Sequence, residues 1–306
     1  MSFTITLTTV IVMLLYAVPG FLLVKSGRIP ASGIPHFATF LVYVCTPFQI
    51  VYAMQQIEYS AYMVKYLAIS LAVALFTMAG MVLLLSVILR PRLDRAPYRV
   101  CACAASLGNV GFMGLPLLQA LMPEYPQIQA FASMFFLALN VVMWSLGSWI
   151  LSGDKRHMSL RKAFVNPAGI AVAVGLVLFF GRIRLSGQWG GMVELIGRMA
   201  TPMCMVILGM RLALVPVKPM FTNPVQYLAI ALKLIAFPLL TLAVLSVLPV
   251  ERDFVRGVYV MACVPVGNLV LSFSEMLGQG QDVAANVVLL STILSMATIP
   301  LMLQLI

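Results

Sequence analysis

The sequence predicts an all-α membrane protein of ten transmembrane helices, built as two inverted five-helix repeats with helices four and nine broken. Three observations predict it. The 306 residues are 62% apolar and 9% charged, with a mean hydropathy of +1.05. A soluble domain holds close to a quarter of its residues as charges, so a water-soluble globule and a disordered chain are both excluded. The apolar runs are continuous, whereas the strands of an outer-membrane barrel would alternate apolar and polar. Finally, several short patterns recur at an offset of five spans.

A spanning helix needs about 20 apolar residues. Ten such spans read along the chain: 3–24, 34–55, 62–89, 97–121, 127–151, 163–181, 190–213, 224–248, 254–277 and 282–305. The first is expected to be retained rather than cleaved, because Met1-Ser2 supplies no positive charge ahead of it. The second carries Thr46, Pro47 and Gln49. The third has a single charge, Lys65, near its start. The seventh carries Thr201-Pro202 and the pair Glu194 and Arg198, four apart and therefore on one helix face. The eighth holds Lys233 nine residues in, where an ammonium is costly and marks either a pathway or a snorkelling side chain. Connections are short, and no room remains for a soluble catalytic domain.

Charge sets the orientation. Lys25, Arg28, Arg90, Arg92, Arg95, Arg99, Lys155, Arg156, Arg161, Lys162, Arg211 and Lys218 fall in one set of alternate connections. Lys65, Arg182, Arg184, Arg252 and Arg256 fall in the other. The richer set belongs to the cytoplasm, which places both termini outside. The net charge of +10 thus reads as topology, with no nucleic-acid partner; the partner is the lipid bilayer.

The repeat rests on three matches in order. Gly27-Arg28-Ile29 returns as Gly181-Arg182-Ile183, Thr46-Pro47 as Thr201-Pro202, and Gly108-Asn109 as Gly267-Asn268. Five spans is an odd number, so the second copy sits inverted in the membrane, as in secondary transporters. The expected division is residues 1–151 and 152–306.

Spans four and nine cannot be regular helices. Gly108-Asn109-Val110-Gly111-Phe112-Met113-Gly114-Leu115-Pro116 places three further breakers around a glycine and an asparagine. Pro265-Val266-Gly267-Asn268 is a milder version. Asn109 lies about 16 Å from the inner end of span four and Asn268 about 18 Å from the outer end of span nine. Both fall near the middle of a core about 30 Å thick. Broken there, the spans aim two helix N-termini at the centre, with partial positive charge and free N–H groups that suit a carboxylate. The competing reading is two proline kinks whose asparagines bond neighbouring helices.

No other chemistry is legible. Cys45, Cys101, Cys103, Cys204 and Cys263 lie in apolar runs without metal spacing or a disulfide pattern. No intramembrane His–Asp, His-Glu-x-x-His or paired-Asp arrangement marks an enzyme. No cofactor is expected, and no deep carboxylate marks a proton relay. Coupling to H+, to Na+ or to neither stays open.

The chain resembles the auxin efflux carrier family of membrane transporters, including its bacterial malonate- and malate-type members. The resemblance lies in Asn109–Pro116, Asn166-Pro167 opening span six, Ala200–Gly209, Leu234–Pro238 and Ser291–Pro300. It implies that helices four and nine cross at the midplane, at the substrate site. It implies a scaffold of spans 1, 2, 6 and 7, through which a homodimer would form, and a moving transport part of spans 3–5 and 8–10. The expected function is elevator-type transport of a small organic carboxylate across the bacterial cytoplasmic membrane. The alternative is a sodium-coupled symporter of the bile-acid type, which shares that architecture, for a larger amphipathic anion. The expected substrate-binding residues are Asn109, Gly111, Gly114, Pro116, Pro265, Gly267, Asn268, Thr46, Gln49, Thr201 and Lys233.

Overall fold

In hydrocarbon a backbone N–H has no water to bond, so a continuous apolar run satisfies itself by coiling into a helix. The computed structural model describes residues 3–214 and 223–306, and among them the only β-type pairing is one isolated bridge. In chain order the helices are α1 (Thr6–Lys25), α2 (Ala31–Gln55), α3 (Ala61–Ile88), α4 (Ala96–Ala104), α5 (Val110–Leu121), α6 (Gln127–Ser152), α7 (Lys155–Phe180), α8 (Gly187–Leu212), α9 (Pro224–Ser246), α10 (Arg252–Cys263), α11 (Asn268–Leu277) and α12 (Gln281–Leu305). Eight of them are long and apolar enough to cross a membrane. The other four are the halves of the predicted spans four and nine, which makes each too short to cross alone. Lys218, counted in the charge bias, lies outside the described residues.

Local sequence explains the caps and the irregular turns. Asn166 and Asn223 each accept a backbone N–H at a helix start and are followed by a proline, whose missing donor costs nothing there. Wide π-helical turns at Leu41–Cys45, Val110–Gly114 and Leu232–Ala236 each end two residues before a proline: Pro47, Pro116 and Pro238. A proline ring collides with the carbonyl four residues back, and a widened turn absorbs that collision. A fourth wide turn, Met143–Gly147, contains no proline. There Ser145 and Ser148 donate back to the carbonyls of Val141 and Trp144, a bond that bends helices.

Several helix pairs lie side by side along much of their length. α1 lies along α8, and α2 lies along α7 and α8. α3 lies along α6, while α9 contacts α4, α10 and α12. α1 and α8 approach so closely that a methyl group on Gly20 would collide with the carbonyl of Val206, and one on Gly209 with the carbonyl of Ala17. Small residues permit such backbone approach, which is how helices associate where no hydrophobic effect separates protein from lipid. Phe76, Val87, Val177 and Leu195 are exposed on outer faces, as lipid-facing side chains should be. The best-covered backbone is the opposite of lipid-facing: residues 100–111 and 257–267 are buried without interruption, and these are the stretches around the two breaks.

Candidate functional site at the paired helix breaks

α4 stops at Ala104 and α5 starts at Val110; α10 stops at Cys263 and α11 starts at Asn268. The extended residues between them pair with each other. Asn109 N–H donates to the carbonyl of Pro265 at 2.7 Å, and Gly267 N–H donates to the carbonyl of Leu107 at 2.9 Å. This is the antiparallel bridge between Gly108 and Val266. It needs glycine at 267, where a Cβ would lie 2.7 Å from the Gly108 carbonyl oxygen, and is tight at Gly108, where one would lie 2.9 Å from Val264 Cγ2. Remaining backbone groups find side chains of neighbouring helices. Val266 N–H donates to Ser291 Oγ at 3.1 Å, and Lys233 Nζ donates to the Ala262 carbonyl at 2.7 Å. Non-helical backbone deep in a membrane protein is tolerated on those terms.

A cavity of about 270 Å³ lies beside the breaks. Gly108 to Phe112 and Gly267 to Leu269 form its floor, with Ser272 one turn further along α11. Ala38, Leu41, Val42 and Thr46 of α2 form one wall, and Phe136, Leu139, Asn140 and Trp144 of α6 another. Asn166–Ala168 of α7 and Cys204 and Arg211 of α8 complete it. Asn166 and Arg211 are next to the lysine- and arginine-rich connections, so the cavity belongs to that basic face.

The helices starting at Val110 and Asn268 direct their N-terminal dipoles to the same place. The Asn109 and Asn268 side chains stand there with no hydrogen-bond partner among the described residues. By contrast, Asn140 Nδ2 donates to the Phe136 carbonyl, and Asn166 is used up in capping the stretch of α7 that begins at Pro167. Among the described residues no acidic side chain lines the cavity. Among the described residues no group of three or more His, Cys, Asp or Glu stands together as a metal site would require. The arrangement can hold an anion by two amides, two helix N-termini and one arginine.

The structure sorts the sequence-predicted residues into four places. Thr46, Asn109, Gly111, Gly267 and Asn268 line the cavity. Pro265 and Gly114 support the crossing from behind: Pro265 accepts the Asn109 N–H, and Gly114 packs on Met261. Thr201 and Pro116 line a separate cavity of about 570 Å³, with Thr4, Thr8, Thr9 and Gln119. Thr201 and Arg211 are ten residues apart on α8, about 15 Å, so the two cavities face opposite ends of the molecule.

Lys233 and Gln49 line neither cavity. Lys233 is fully buried behind the breaks, its ammonium 4.4 Å from the Phe237 ring centroid. Gln49 is 2% exposed, and neither its Nε2 nor its Oε1 has a hydrogen-bond partner among the described residues. Glu194 and Arg198 form an ion pair at 2.6 Å, half-exposed, with Tyr52 on Glu194. The sequence reading missed Arg211, Asn140, Trp144 and Ser272. Arg211 carried a signal, since it is a charge at the end of a span, but its position also suited a connecting loop.

Comparison with curated proteins gives no match for the chain. Comparison with protein families matches it to the family described as membrane transport protein, over residues 4–159 and 154–303. Those segments take in both breaks and nearly the whole length. The chain therefore belongs to the membrane transport protein family, the family of the auxin efflux carriers.

Proposed function

We propose that this transporter carries a small organic carboxylate across a bacterial cytoplasmic membrane by alternating access. The anion is held where the breaks of α4–α5 and α10–α11 meet. One observation carries the reading: two asparagine amides and two helix N-termini converge on a cavity where, among the described residues, the amides have no partner and no carboxylate is present. The size of the cavity supports a small anion over a large amphipathic one. Pockets for drug-sized ligands run from about 300 to 1,000 Å³, and this one is about 270 Å³.

The motion proposed is an elevator. α1, α2, α7 and α8 act as the scaffold, and α3–α6 with α9–α12 carry the site. The close contacts of α1 with α8, and of α2 with α7 and α8, support a rigid scaffold. The basic connections face the cytoplasm and both termini face outside. The state described is then open to the cytoplasm.

The test is uptake into proteoliposomes together with ligand-induced stabilisation of purified protein. A ligand that binds the folded form alone raises its melting temperature. Malonate, malate and acetate are the first probes, each in sodium and in potassium. Asn109→Ala and Asn268→Ala should fold, keep their melting temperature without ligand, and lose uptake. Wild-type uptake in both variants would end this reading.

A further inference from the structure

Among the described residues, Arg211 is the only charged one lining the cavity. It sits in the last turn of α8, two turns beyond Cys204 on the same helix face, and both side chains border the same space. The ion pairs among the described residues join Arg184 to Glu58, Arg198 to Glu194 and Arg256 to Asp253. Arg211 belongs to none of them, and no hydrogen bond engages its guanidinium among the described residues.

We propose that Arg211 is the counter-charge of the transported anion in the state open to the basic face, and that it selects anions over neutral and cationic solutes of equal size. The inference rests on the reading of this cavity as the substrate site. Its physics is separate from the two asparagines. Amides and helix ends contribute partial charges and direction. A guanidinium contributes a full charge and a planar fork that meets a carboxylate with two parallel N–H bonds. A low-dielectric cleft lined by charge of one sign also concentrates the matching ion from solution. Arg211 lies on α8 and the asparagines on α5 and α11, so an anion touching both spans the two helix groups. The competing role is a side chain that caps the α8 C-terminus and extends to lipid headgroups.

Two readouts decide between them. The first is the affinity of purified protein for malonate. Arg211→Gln should weaken it by about tenfold or more, and Arg211→Lys by less, with the melting temperature of the unliganded protein unchanged. The second needs no substrate. Ser272 is exposed to the cavity. In a Cys204→Ala background, Ser272→Cys is modified with an anionic sulfonatoethyl and a cationic trimethylammonioethyl methanethiosulfonate. The anionic reagent should be favoured relative to a free thiol, and Arg211→Gln should reduce that preference on the order of tenfold.

A preference equal to that of a free thiol, with Arg211 in place, overturns the proposal even where Arg211→Gln fails to fold. Unchanged malonate affinity together with unchanged preference in Arg211→Gln overturns it as well. If no carboxylate binds the unsubstituted protein while the anionic preference holds and depends on Arg211, anion selection by Arg211 is supported and the small-carboxylate reading fails.

Discussion

The Lys233 ammonium donates to the Ala262 carbonyl at 2.7 Å, next to the last residue of α10. The final carbonyls of any helix lack partners within it, and Lys233 supplies one for Ala262. The wide turn Leu232–Ala236 of α9 includes Lys233. Removing the ammonium leaves a buried acceptor unbonded, at a cost of about 1–3 kcal/mol, and lets the end of α10 drift. Lys233→Met should therefore purify folded but bind malonate more weakly and transport it slowly. Uptake at the wild-type rate would refute this positioning role.

Gln49 leads to an opposite expectation for stability. Its amide is buried with both polar atoms unbonded, and such groups cost about 1–3 kcal/mol each. Gln49→Leu fills similar space without that cost. It should raise the melting temperature and reduce transport, because a costly buried amide is retained for something other than folding. A variant that is more stable and fully active would show that Gln49 has no part in the cycle.

The contact between α1 and α8 has no room to spare. A single methyl on Gly209 meets the Ala17 carbonyl, and backbone cannot rotate away as a side chain can. Overpacking of this kind costs about 1–3 kcal/mol. Gly209→Ala should lower the melting temperature and the yield of folded protein. The same change at Gly80, where an added Cβ meets nothing, should leave both unchanged.

At the crossing itself, Gly267→Ala places a Cβ against the Gly108 carbonyl. The two extended segments must separate, and Asn268 moves with them. Malonate affinity should fall by about tenfold or more, since a displacement of about 1 Å is enough to spoil a positioned site. The measurement is binding by calorimetry, with intact affinity counting against a tight bridge.

The breaks were legible because glycines, a proline and an asparagine crowded into a few residues make a regular helix costly, and their positions along the chain set their depth. The helix starts at Asn166-Pro167 within α7 and at Asn223-Pro224 opening α9 follow from similar local chemistry. Arg211 and Lys233 were not legible in that way. A linear sequence gives the height of a side chain along its helix and leaves its direction to the packing of neighbours. Arg211 resembled a loop charge and turns into the cavity. Lys233 resembled either a substrate contact or a snorkelling chain, and it bonds the backbone of another helix, 29 residues further along the chain, rather than reaching along its own. Gln49 and Thr46 share one face of α2, yet the cavity ends between them, a boundary set by α8 packing on α2.

The bridge between Leu107–Asn109 and Pro265–Gly267 has each strand giving one N–H and receiving one. Reciprocal exchange of that kind fixes alignment without reference to side-chain identity. Apart from the glycines at the contact, residues across the two breaks can therefore change without shifting the register, but an inserted or deleted residue on one strand would have to be matched by a compensating change on the other. Spacing, together with two close-packed glycines, is what the centre of this molecule has to keep.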